Sequence, residues 1–176
     1  MIKNLGFNED NINFDNISEE KISFLADSIE VNLGNRRVLI KNLGIAHTKG
    51  DLIAYDFNTN TYITGDVIFI GRAAAFSDAN IPMWINVINN KLDLSWDYLI
   101  PGHGSIINNK LDLNDTKNWL YFLDNAAKQA VSEGDMISEI FQYPIPKEIH
   151  HLKMKSITLR QGIKKQLDLY RKKYIE

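Results

Sequence analysis

Apolar and polar positions alternate along the first part of the chain and switch to a helical period further on. Residues 29–33 (I-E-V-N-L) alternate up to Gly34-Asn35, and residues 37–42 (R-V-L-I-K-N) follow as a second strand, which predicts a hairpin. Leu52–Tyr55 predicts a further strand, Asp56–Asn60 a turn, and Thr61–Thr64 a strand pairing back. Val67–Ile70 is a short buried apolar run, and Tyr98–Ile100 a last short strand. Between them Arg72–Asn80 is irregular, while Ile81–Leu92 is helical, with Pro82 in the first turn and Trp84, Val87, Ile88 and Leu92 on one side. From Leu113 the helical period takes over. Trp119, Phe122, Leu123, Ala126 and Ala130 form a core stripe that stops at Gly134. A shorter helix over Asp135–Phe141 ends at the Pro144–Pro146 loop, and a long amphipathic helix runs from Glu148 to the C-terminus. Ser18–Ala26 predicts a short helix after a polar start. The fold class expected is α+β: a mostly antiparallel sheet with one apolar face, then helices that cover it.

At 176 residues the chain suffices for one domain with a core, not for two. Lys plus Arg total 20 against 22 Asp plus Glu, a net charge of -2, which excludes a strongly basic nucleic-acid binder and an acidic tail. The N-terminus lacks an apolar signal region, and no window approaches the ~18 apolar residues of a membrane span, so the expectation is a cytoplasmic protein without membrane contact. There is no cysteine, so disulfides, thiolate zinc sites and a cysteine nucleophile are excluded. The histidines are four: His47, His103, His150 and His151.

Three polar residues stand beside glycines at predicted strand ends. His47 lies in A-H-T-K-G-D before Leu52–Tyr55, Asp66 in T-G-D after Thr61–Thr64, and His103 in P-G-H-G after Tyr98–Ile100. Such placement lets several strands deliver side chains to one sheet edge, where glycines allow close backbone approach. Imidazole and carboxylate are zinc ligands. Spacing alone also suits the ordinary reading of solvated histidines and a turn aspartate.

The stretch Gly44–Ile107 resembles the C-terminal half of the metallo-β-lactamase fold superfamily. A-H-T-K-G-D resembles its G-H-T-P-G-D motif, T-G-D-V-I-F its G-D segment, and P-G-H-G its last ligand motif. The resemblance implies an αββα sandwich with His47, Asp66 and His103 as metal ligands. Asp66 would be the carboxylate bridging two zinc ions and the catalytic residue. Gly71-Arg72, S-D-A-N (Ser77–Asn80) and the L-D-L-Y-R-K tail (Leu167–Lys172) look closest to the zinc hydrolases associated with quinoprotein and sulfur-oxidation systems, with glyoxalase-II-like enzymes next. The implied reaction is attack of metal-activated water on an ester, thioester or lactam-like bond of a small molecule. Asp51 is expected to hold the His47 loop by accepting backbone N–H bonds, and Lys49 stands where the family commonly has proline.

The superfamily's first motif, H-x-H-x-D-H, is absent, and no histidine precedes His47. The chain therefore resembles the second half of the fold. Residues 1–27 would be a connecting segment, 28–110 the sheet with its ligand loops, and 111–176 the C-terminal helices. Three ligands spread over two ion positions fall short of a normal zinc set. One apolar sheet face would be left uncovered. The alternative to a zinc hydrolase is thus a truncated or split, non-catalytic remnant that needs an N-terminal half, and partners expected are that half or further copies of the chain. His150 and His151 are expected at the start of the last helix, pointing in different directions. The basic C-terminal helix reads as a solvated face. Arg72, on the resemblance, would stand near the mouth of the site.

Overall fold

A computed structural model describes residues 27–175 except Ser77, Asp93 and Leu94. The short helix expected over Ser18–Ala26 and all but the last residue of the 1–27 connecting segment lie outside them. Five strands form one sheet in chain order: β1 (Ser28–Asn32), β2 (Arg37–Gly44), β3 (Asp51–Asp56), β4 (Thr61–Phe69) and β5 (Tyr98–His103). The first three pairings are antiparallel, and β4 pairs with β5 in parallel. The parallel pair needs a crossover, and helix α1 (Ile81–Asn90) supplies it.

The separate pieces expected at Thr61–Thr64 and Val67–Ile70 are one strand. Gly65, at φ 51°, shifts the register there, so β4 runs on alongside β5 instead of ending. A residue with a side chain would be strained in that conformation, which explains the glycine.

The two faces of the sheet differ. On one, Leu39, Tyr55, Tyr62 and Leu99 lie side by side across β2–β5. Tyr55, Tyr62 and Leu99 are buried, and they share one core with Trp84, Val87 and Ile88 of α1. Helices α2 (Asn114–Glu133) and α4 (Lys155–Ile175) complete that core through Trp119, Leu120, Leu123, Ile163 and Leu167. On the other face Ile29, Ile40, Ala54, Ile63 and Ile100 form one row across all five strands. This face is open: Ile29 is 52% exposed, Leu52 52%, Ile63 45% and Tyr98 51%. Among the described residues, the apolar face expected from the sequence is therefore uncovered.

Helices α2 and α4 pack where Gly162 sits. A methyl group there would come 2.6 Å from a Leu123 methyl carbon and 3.0 Å from the Phe76 ring. One buried carboxylate joins the same helices. Asp124 accepts hydrogen bonds from Gln166 Nε2 (2.5 Å), Tyr170 Oη (2.6 Å) and Lys128 Nζ (2.7 Å). Its bonds raise the pKa of Lys128, and burial followed by the same carboxylate raises that of Tyr170.

The last helix begins later than expected. A 3-10 turn covers Lys147–Ile149, and Met154, at φ 64°, separates it from α4. His150 and His151 therefore lie in the turn before the helix, not on its first turn. Helix α3 (Ile137–Ile140) is likewise shorter than Asp135–Phe141. No helix among the described residues is long and apolar enough to cross a membrane.

Candidate metal half-site

His47 belongs to the loop between β2 and β3. Asp51 fixes that loop as its position suggested, accepting from the Thr48 N–H (2.9 Å) and the Thr48 hydroxyl (2.9 Å). The loop is also tied to the start of α1, where the Asn80 N–H donates to the Ala46 carbonyl. The His47 ring is buried against the edge of Trp84 (5.0 Å between centroids) and against Phe69 (5.7 Å). Trp84 is itself anchored, its indole N–H donating to the Val67 carbonyl at 2.8 Å.

Asp66 follows the Gly65 break and lies within β4, and His103 is the last residue of β5; neither stands in a turn past its strand. Their closeness depends on two glycines. A side chain at Gly102 would overlap Asp66 Oδ1 and the Gly65–Asp66 backbone. One at Gly104 would overlap the Ile70 carbonyl, and Gly104 also has φ 103°. The two glycines of P-G-H-G are thus required by the backbone crossing alone. The His103 carbonyl accepts from the Ile70 N–H (2.8 Å), and the His103 ring stacks on Phe69 (4.9 Å, 30°).

The three side chains meet. His47 Nε2 is 3.6 Å from Asp66 Oδ2, and His103 Nε2 is 3.5 Å from Asp66 Oδ1. Each imidazole faces its own carboxylate oxygen at more than hydrogen-bond length. With zinc bonds of about 2.0–2.1 Å, such a spacing subtends roughly 115–125° at a shared ion, open from tetrahedral but within its scatter. The spacing suits zinc; the number of donors does not. An ion set between either imidazole and Asp66 would receive one nitrogen and one oxygen, whereas catalytic zinc takes three protein ligands. No group of three or more His, Asp or Glu side chains among the described residues is arranged to hold a metal ion. The usual outer support is missing as well. A metal-bound imidazole normally hydrogen-bonds through its other nitrogen, and the buried His47 Nδ1 has no partner among the described residues. The side chains of Asp66 and His103 are 41% and 42% exposed, so the site opens on one side.

Several supporting residues escaped the sequence reading. Phe69 lies between the two histidines, and helix α2 holds it. The Phe69 N–H donates to Thr116 Oγ1 (2.9 Å), and the Thr116 hydroxyl donates to the Phe69 carbonyl (2.8 Å). Next to it Asp115 accepts the Gly71 N–H (2.7 Å) and lies 2.8 Å from His151 Nε2. The signal for Thr116 was a polar residue three positions before Trp119, on the apolar stripe of α2. His150 bonds the Ile145 carbonyl, so the two adjacent histidines do point to different partners. The Arg72 backbone pairs with that of Lys153, and the buried Arg72 Nε has no partner among the described residues.

No protein-family model matches the chain. No curated relative matches it. Solved structures do. The stereoselective inverting sec-alkylsulfatase from Pseudomonas sp. superposes with TM-score 0.70 at 15% identity, over 85% of this chain and 26% of that one. A metallo-β-lactamase from Pontibacter korlensis gives TM-score 0.49 at 18% identity, over 55% of this chain and 47% of that one. The chain spans about a quarter of the first protein and under half of the second. At these identities the likeness is one of fold. The mixed sheet with its helices on one face matches one β layer and one α layer of an αββα metallo-β-lactamase-type arrangement.

Proposed function

We propose that this chain is the second half of a metallo-β-lactamase-type hydrolase domain and is not catalytic by itself. It supplies one side of a two-ion site, and an N-terminal half supplies the rest. The observation that carries this reading is the Asp66 carboxylate set between His47 and His103 at 3.6 and 3.5 Å. That is an organised arrangement with too few donors for either ion. The open sheet face supports the same reading. Beyond Ile63 and Ile100 on that face, the next paired residues of β4 and β5 are Gly65 and Pro101, beside Asp66 and Gly102. A polypeptide covering the face would abut the half-site at this end. The hydrolysis implied by the sequence resemblance belongs to the completed domain. The narrower kinship with quinoprotein-associated and sulfur-oxidation-associated enzymes rests on Gly71-Arg72, S-D-A-N and the C-terminal tail alone.

Complementation tests the proposal. The chain is assayed with added zinc on ester, thioester and lactam substrates, alone and with a polypeptide carrying an H-x-H-x-D-H first half. No turnover alone and turnover on mixing is the expected result. Turnover by the chain alone, abolished by Asp66→Ala, would overturn it.

A further inference from the structure

We infer that, without a first half, the open sheet face is closed by a second copy of this chain, so that self-association and completion of the half-site exclude each other. The inference rests on the proposed function only in taking the face to be free for a partner.

The row Ile29, Ile40, Ala54, Ile63 and Ile100 carries no charge from one edge strand to the other. Val31, Val38 and Leu52 extend it along the strands. Edge strands and exposed faces that must stay single normally carry lysines or inward charges, and this row has none. Asp56 lies at the end of the face, with its carboxylate engaged by Asn58, Thr59 and Arg36. Two-fold packing sets one patch against itself, so a uniform apolar row complements its own copy. Net charge is only -2 per chain, so repulsion between copies is small.

Size fits a dimer as well. Five strands at about 4.8 Å spacing and about five residues in length give a footprint of roughly 400 Å². Allowing for the relief of side chains, two copies would bury on the order of 1,200 Å², the lower end for a stable interface. Aligned sheets pack about 10 Å apart, which sets the reach a cross-link needs.

The chain has no cysteine, so a single introduced thiol reports on one place. Ile63→Cys sits on β4, next to the middle of the row, and Ile157→Cys on the exposed side of α4 serves as the control. Each is treated with a bis-maleimide of about 10 Å reach, while the unaltered chain is weighed by light scattering. Expected are a mass near twice 20.2 kDa, and cross-linking of Ile63→Cys at least tenfold above the control. Ile63→Lys should return the mass to one chain with its circular dichroism retained. A single-chain mass at 100 μM would overturn the inference, and so would a dimer whose Ile63→Cys cross-links no better than Ile157→Cys. None of these readings involves zinc or turnover, so their failure leaves the half-site untouched, and failure of complementation leaves the dimer untouched.

Discussion

Gly102 sets the position of Asp66 more strictly than any hydrogen bond does. A methyl group at this position overlaps both the carboxylate and the Gly65–Asp66 backbone, so β4 and β5 must separate. Gly102→Ala is expected to lower stability by roughly 1–3 kcal/mol, as overpacking does. The measurement is urea denaturation, and an unchanged midpoint would contradict this close crossing. Acid sensitivity centres on another carboxylate, Asp56, at the β3–β4 turn. Burial works to raise its pKa, but the Asn58 N–H, the Thr59 hydroxyl and Arg36 outweigh it and hold the pKa below the usual 3.8. A folded-state pKa below the unfolded value stabilises above the unfolded pKa and ceases to do so as pH falls through the folded one. Thermal stability should therefore fall from about pH 4 downward, and Asp56→Asn should flatten that fall. Parallel melting profiles for the two proteins would contradict it.

Between helices, α2 and α4 depend on a polar clamp as well as on leucines. Asp124→Ala leaves the Gln166 amide and the Tyr170 hydroxyl without their acceptor in a buried place. It should cost roughly 2–3 kcal/mol in chemical denaturation, while Asp124→Asn should retain part of the stability. A loss below about 0.5 kcal/mol would show the clamp to be dispensable. This clamp was not legible in the sequence, because an aspartate on a helix ordinarily faces water. The strands were legible, from the alternation at 29–33 and from the short apolar stretches at 52–55 and 61–64 on either side of the Asp56–Asn60 turn. Where tertiary contacts overrode local pattern, the reading slipped. Gly65 looked like a strand end and is a register shift. Glu148 looked like the start of α4 and lies in a separate 3-10 turn, because Met154 adopts a left-handed conformation. That His47, Asp66 and His103 come together was legible from their glycines and their motifs. Their supports Phe69 and Trp84 were not, since core aromatics carry no signature of what they hold, and Thr116 showed only as a polar residue on the apolar stripe of α2.

For the molecule as a whole, the open face and the short ligand set describe one condition. The covered face of the sheet is packed under α1, α2 and α4, while the other leaves Ile29, Leu52, Ile63 and Tyr98 near half exposure. On the proposed function, the ligand set of His47, Asp66 and His103 stops short at the end of that same face. A second sheet would remedy both at once, covering the row and adding donors beside Asp66. The most direct measurement is the zinc content of the purified 176-residue chain after equilibration with zinc and gel filtration. We predict fewer than about 0.1 zinc ions per chain, because two donors per ion do not retain zinc against dilution. Two tightly held ions per chain, lost together in Asp66→Ala, would contradict the account.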